Sequence, residues 1–208
     1  MIISKTPLRI SFIGGGSDLK SFYSESPGMV ISSTIDKYLY VIIKERFDDK
    51  IYVSWSQKQE IVTNINHIEH DLVRECLKKT GIKKSIEITM LADIPSSGSG
   101  LGSSSSLTVG LLNAMYNFVG ILPTSERLAS EACEIEIDIL KKPIGKQDQY
   151  IAAYGGLNEI IFNSDDTVLV NPIKITSKDR LVFGSIFLIM FTGITRDANK
   201  ILKEQNKK

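Results

Sequence analysis

The segment Pro95 to Ser106, PSSGSGLGSSSS, sets three glycines and seven serines in twelve positions between two apolar runs of different period. Before it, SIEITML (Ser85 to Leu91) alternates as a half-buried strand does; after it, LTVGLLNAMYNFVG (Leu107 to Gly120) repeats apolar residues at helical spacing. Glycine and serine at this density also compose flexible linkers. Between a strand and a helix, however, they make an anion site, because the first N–H groups of a helix lack partners within it and present partial positive charge. Glycines allow close backbone approach at positive φ, and serine hydroxyls can bond phosphate oxygens or ligate a hard cation such as magnesium. Two familiar phosphate loops are excluded by their spacing. No lysine follows Gly98 or Gly102 as GxxxxGK[ST] requires, and position 103 is serine where GxGxxG needs glycine.

A chain of 208 residues holds one ample core, or one domain and part of another. Its 25 Lys and Arg against 24 Asp and Glu give a net charge of +1, which leaves no electrostatic footprint for nucleic acid or an anionic membrane. No apolar run reaches the roughly 18 residues needed to span a bilayer, and the amino terminus lacks the pattern of a secretory signal. A cytoplasmic location is expected. Cys76 and Cys133 lie in different predicted helices without metal-like spacing, so free buried thiols are expected.

Along the chain, RISFIG after Pro7, MVISSTI from Met29, YLYVIIKER from Tyr38 and KIYVSWS from Lys50 read as strands of one sheet layer. IEHDLVRECLKKTG reads as a helix ended by Gly81, with His67 and His70 at its start expected to face solvent. Helices are predicted at 103–119, 125–140 and 146–153, then strands LNEIIF and TVLVNPI, which together make an α/β layered domain. The apolar run LVFGSIFLIMFTG (Leu181 to Gly193) is predicted as a strand opening a second domain, with cover from absent chain or from another copy, a homo-oligomer.

Acids stand in unusual places. Helical spacing puts Ile144, Asp148, Ile151 and Ala152 on one face, and a carboxylate on an apolar face is costly unless paired or ligand-facing. In the preceding helix, Leu128, Ala132, Ile135 and Ile139 form the core stripe, Glu136 sits at its margin and Glu134 points away. The stretch PLRISFIGGGSD sets Arg9 in an apolar strand before three glycines and Asp18; it reads equally as a site or as a tight turn with a polar tip.

In order and spacing, PLRISFIGGGSD, PSSGSGLGSSSS and PIGKQDQYIAAYGG together resemble the motifs of the galactokinase, homoserine kinase, mevalonate kinase and phosphomevalonate kinase superfamily, and most of all its bacterial sugar-1-kinase branch. The resemblance runs from about Pro7 to Arg196. It implies an α+β fold: an ATP-binding domain of the ribosomal protein S5 domain 2-like type over 1–176, and the start of a ferredoxin-like carboxy-terminal domain over 177–208. Kinship with a ribosomal domain suggests RNA, but the neutral charge argues against it.

The resemblance also implies roles. Ser97, Gly98, Ser99, Gly100, Leu101, Gly102, Ser103, Ser104 and Ser105 would wrap the ATP phosphates, with Ser104 and Glu136 as magnesium ligands. Asp148 would be the base and Arg9 the cation beside it. Gly15, Gly16, Ser17 and Asp18 would contact the sugar, and Arg196 would stand at the mouth of its site. The implied activity is phosphoryl transfer from ATP to the anomeric hydroxyl of a sugar phosphate, a heptose 7-phosphate foremost. The alternatives are a fucokinase- or galactokinase-like specificity, or a non-catalytic nucleotide- or sugar-binding half, since a third glycine-rich motif lies beyond residue 208 in this superfamily.

Overall fold

The computed structural model describes residues 1–56, 58–94 and 99–190. Its frame is an antiparallel pair, β1 (Ile2–Ile13) and β2 (Gly28–Glu45), whose register runs from Ile2 opposite Ile43 to Ile13 opposite Ile31. The sequence predicts two strands where β2 is continuous. The register shifts between Pro7 and Arg9, opposite Tyr38 and Thr34, and across this irregularity the buried positions of β2 change parity from Val30 and Ser32 to Leu39, Val41 and Ile43. Proline has no N–H for the ladder, so a break beside Pro7 costs little pairing. It also frees the Arg9 N–H, which donates to the Leu101 carbonyl at 3.1 Å and so ties the strand to the glycine-serine loop.

Two strands share β2: β5 (Ile86–Ala92) pairs with its carboxy-terminal half and β6 (Leu157–Phe162) with its amino-terminal half. β3 (Ile51–Trp55) lies parallel to β5 and forms a hairpin with β4 (Lys58–Val62), a strand the sequence does not signal; β7 (Val168–Pro172) pairs with β6. A short helix, α1 (Lys20–Tyr23), follows the glycine turn after β1.

The main helices cover the sheet. α3 (Ser103–Phe118) packs on β1 and β2, flanked by α2 (Asp71–Thr80), α4 (Ser125–Cys133) and α5 (Gln147–Tyr154). Val41, Ile43 and Ile88 of the sheet meet Leu77, Leu111 and Met115 in the larger core. Helix and sheet approach closely at Gly110, where a Cβ would stand 2.7 Å from the Thr6 hydroxyl. A second cluster joins Tyr23, Val30, Cys133, Ile151 and Phe162 under α4 and α5. Both cysteines are free and buried, as the sequence predicts, and Gly81 ends α2 at φ 76°.

Three expectations are corrected. The helix predicted over 125–140 is α-helical only to Cys133; Glu134–Ile139 form a π-helical turn, closed by the Leu140 N–H on the Ile135 carbonyl at 2.9 Å. The wider turn rotates Glu136 from the margin of the apolar stripe to full burial. His70 is not solvent-facing: it stacks edge-on against Trp55 with centroids 5.0 Å apart, whereas His67 is exposed. The run from Leu181 is not a strand where it is described. Leu181 to Ser185 end a helix, α6 (Ser177–Ser185), and residues 186–190 are irregular; 191–193 lie outside the described residues. A strand needs a neighbour's edge, and among the described residues this run has none, while a helix closes its backbone bonds internally. Thr176 favours the helix by accepting from the Asp179 N–H at 3.1 Å.

Candidate functional site

The three motifs quoted from the sequence meet at the amino-terminal end of α3. Gly100 and Gly102 lie at φ 70° and 74°, and Gly102 supplies the last residue before the helix. A Cβ on Gly102 would come within 3.2 Å of both the Arg9 side chain and an Asp148 carboxylate oxygen, so the loop passes directly over that pair. Arg9 on β1 and Asp148 on α5 form a fork-to-fork ion pair, Nε to Oδ1 and Nη2 to Oδ2 each 2.6 Å. The third arm, Nη1, donates to the Gly100 carbonyl at 2.6 Å. One guanidinium thus joins the loop to the carboxylate. Their side chains are 15% and 25% exposed, enough to meet a ligand and little enough to strengthen the field between them.

Asp18 reaches the same centre through the GGGSD turn. Its carboxylate accepts from the Gly16 N–H at 3.0 Å and from the Gln147 N–H at 3.1 Å, one residue before Asp148. Burial pushes this carboxyl above its ordinary range, the two N–H donors oppose the rise, and the charge of Asp148 adds to it. Gly145 makes the approach possible, since a side chain there would run into the Asp18 carboxylate. Gly14 and Gly16 take φ of 86° and 96°, and the Ser17 hydroxyl closes the turn on the Gly14 carbonyl at 2.7 Å; Gly15 is exposed at its tip.

A second polar cluster lies at the first turn of α3. The Ser104 hydroxyl donates to Glu136 Oε1 at 2.6 Å, Gln149 Nε2 donates to Oε2 at 2.8 Å, and the Lys142 ammonium reaches Ser104 Oγ at 3.0 Å and Glu136 Oε1 at 3.1 Å. A buried carboxylate and a hydroxyl, already joined by a cation, are oxygen ligands of the type magnesium takes, and two of them fit its habit of keeping water and substrate phosphates as the rest. Among the described residues no group of three or more His, Cys, Asp or Glu could hold a metal. Ser105 is buried, the Ser106 hydroxyl donates to the Pro7 carbonyl at 2.9 Å, and Ser99 Oγ is buried with no hydrogen-bond partner among the described residues, a polar atom in the loop that a phosphate oxygen would satisfy. Ser97, Gly98 and Arg196 lie outside the described residues.

Sequence reasoning missed Lys142, Gln149 and a cavity of about 450 Å³ lined by Trp55, His70, Met90, Ile94 and Leu107. Lys142 reads as one of a charged run, and Gln149 as a neutral neighbour of Asp148. Neither carries a pattern; only the π-helical turn brings them to Glu136.

Residues 66–156 match the GHMP kinases N terminal domain. Over its whole length the chain is 32% identical to the D-glycero-alpha-D-manno-heptose 7-phosphate kinase of Campylobacter jejuni, of which it spans 63%. Over 94% of its length it is 27% identical to the galactokinase of Pyrococcus furiosus, spanning 54% of that protein. A D-glycero-D-manno-heptose 1-phosphate kinase from Bacteroides thetaiotaomicron superposes with a TM-score of 0.78 at 33% identity, over 85% of this chain and 61% of that one. The mevalonate kinase of Methanococcus jannaschii, at 20% identity and a TM-score of 0.65 over 99% of this chain and 70% of its own, shares the fold. The seven-stranded mixed sheet under four helices has the architecture of these kinases. Residues 66–156 thus carry the GHMP kinases N terminal domain, and the chain over its whole length is similar to a heptose phosphate kinase.

Proposed function

We propose that this chain supplies the nucleotide-binding and base-bearing part of a sugar kinase that transfers the γ-phosphoryl group of ATP to the anomeric hydroxyl of D-glycero-D-manno-heptose 7-phosphate. The observation that carries the reading is the Arg9–Asp148 pair lying directly beneath the Gly100–Gly102 loop, with Asp18 one hydrogen-bonded residue away. The heptose kinase relatives in Campylobacter and Bacteroides support the choice of sugar over galactose or fucose.

In this mechanism the backbone N–H groups at the start of α3, with Ser99, Ser103 and Ser105, hold the phosphates. Asp18 accepts from sugar hydroxyls, with Gly15, Gly16 and Ser17 shaping its turn. Asp148 Oδ1 accepts from Arg9 and, at 3.4 Å, from Gln147, so Oδ2, which has a lone pair beyond its bond to Arg9, takes the proton of the anomeric hydroxyl as it attacks. Arg9 holds Asp148 in place and offers positive charge where the transferring group gathers negative charge. Magnesium, held by Ser104 and Glu136, would neutralise phosphate charge. The loose transition state makes positioning and cations weigh more than the base.

The domain reading belongs to the same proposal. Residues 1–176 form the ATP-binding domain and 177–208 begin a ferredoxin-like carboxy-terminal domain. Leu181 and Leu188, 76% and 81% exposed, support this, because apolar surface of that kind calls for cover, by that domain or by a second copy. No helix among the described residues is long and apolar enough to cross a membrane, which agrees with a cytoplasmic site of action. The test is sugar-dependent ADP release by the full-length protein with magnesium and ATP, comparing heptose 7-phosphate, galactose and fucose, with Asp148→Asn as background. Release with the heptose phosphate alone is expected. Preference for an unphosphorylated hexose would move the specificity to the alternatives, and nucleotide binding without release would leave a binding module.

A further inference from the structure

Glu136 is a carboxylate with no solvent exposure, and an unpaired charge in such a place is costly. Its counter-ion comes from Lys142, and the chain is shaped to deliver it. The π-helical turn closes at Leu140, Lys141 adopts φ 54°, a left-handed conformation unusual for a lysine, and the Lys142 N–H then donates back to the Glu136 carbonyl at 2.9 Å. That reversal lays the Lys142 side chain over the carboxylate of the residue its own backbone binds. Its ammonium contacts Ser104 Oγ and Glu136 Oε1, the two oxygens assigned above to magnesium, while Gln149 occupies the other carboxylate oxygen.

We propose that Lys142 is a built-in counter-ion which occupies the Ser104–Glu136 cation position when no metal is bound and is displaced by the metal, so that this lysine sets the affinity of the site. The inference rests on the magnesium reading of Ser104 and Glu136. An ammonium and a divalent cation cannot both use the lone pairs of one carboxylate oxygen and one hydroxyl without strong repulsion at this separation. Metal binding must therefore break two charge-assisted hydrogen bonds before it gains its ligands. The exchange keeps the buried carboxylate neutralised in both states. It also makes the empty site resistant to stray divalent ions, and the released ammonium, on its long stem, is free to follow the incoming phosphates.

The test measures Mn²⁺ binding to the full-length protein by the resonance of free Mn²⁺, with Mn²⁺ alone and with a non-hydrolysable ATP analogue. With Lys142→Met, the dissociation constant for Mn²⁺ alone should fall by about tenfold or more, because the competing cation is gone while both ligands remain. Glu136→Gln and Ser104→Ala should raise it. Lys142→Met should also lower the melting temperature of the metal-free protein, and saturating Mn²⁺ should restore it by a larger increment than in the unaltered protein. If Lys142→Met folds poorly, Lys142→Gln, which keeps a donor to Glu136 without the charge, gives the same comparison. Unchanged or weaker Mn²⁺ binding in the Lys142 variants, with weakened binding in Glu136→Gln, overturns the role of Lys142 and leaves the metal site standing. Mn²⁺ binding equal to wild type in Glu136→Gln and Ser104→Ala overturns the metal site and this inference with it.

Discussion

Arg9 and Asp148, 139 residues apart in the chain, meet in a bidentate ion pair with both N···O distances at 2.6 Å. The geometry fixes the carboxylate plane, since two parallel hydrogen bonds leave it one orientation. The same guanidinium holds the Gly100 carbonyl, so the orientation of the proposed base and the position of the phosphate loop are set by one side chain.

Replacing Asp148 with asparagine keeps the shape and removes the charge, so kcat should fall by about two to four decades, the usual contribution of a general base. Nucleotide affinity, measured by titration calorimetry, should change little. Turnover near that of the unaltered enzyme would show that Asp148 is not the base.

Arg9→Lys keeps a positive charge and loses the fork, so a lysine cannot hold both Asp148 oxygens and Gly100 together. We expect a loss of about ten- to a thousandfold in kcat/KM with the fold intact by circular dichroism. Lysine restoring full activity would reduce the role of Arg9 to simple charge.

Ser104→Ala removes a proposed metal ligand and leaves the backbone donors of the loop in place. The magnesium concentration for half-maximal rate should rise markedly, by about tenfold or more, while metal-free nucleotide affinity stays close to its original value. An unchanged magnesium requirement would place the ligand elsewhere.

Gly145→Ala sets a methyl group against the Asp18 carboxylate, which is held on two backbone donors and cannot retreat freely. Overpacking of this kind costs about 1–3 kcal/mol, read from urea unfolding, and should raise the KM for sugar more than that for ATP. An equal rise in both would separate Asp18 from the sugar.

His70 supplies a pH dependence. Burial holds its imidazole below the ordinary value of 6.5, with Lys142 acting in the same direction and Asp71 and Glu60 opposing. The unfolded chain therefore binds more protons than the folded one as the pH falls below 6.5, and stability should decline from there toward the folded-state value. His70→Phe should flatten the melting temperature between about pH 7 and about pH 5, and a slope equal to that of the unaltered protein would assign the acid sensitivity to other groups.

The elements of this fold were legible where local chemistry is strong. Gly81 stops α2, the serines and glycines before Leu107 open α3, and the alternation of Ile86, Ile88 and Met90 marks β5. The continuity of β2 was not legible, because a strand that bulges at its centre shows two patterns of opposite parity, and local alternation reads them as two strands. The strand assigned to the run from Leu181 failed for a related reason: an apolar run has no period that distinguishes a strand awaiting partners from a helix.

What the sequence determined by itself is which residues carry chemistry: an arginine in an apolar strand, an aspartate on an apolar helical face, and a loop rich in glycine and serine, each costly or unusual unless it serves a site. What the tertiary structure decided is which of them touch and through what. The distance from Arg9 to Asp148, the burial of Glu136 and the arrival of Lys142 and Gln149 at its carboxylate all depend on a register break at Pro7 and a π-helical turn after Cys133. Both are small departures from regular geometry, made where packing between layers outweighs local preference, and neither preference nor periodicity along one segment records the layer it will meet.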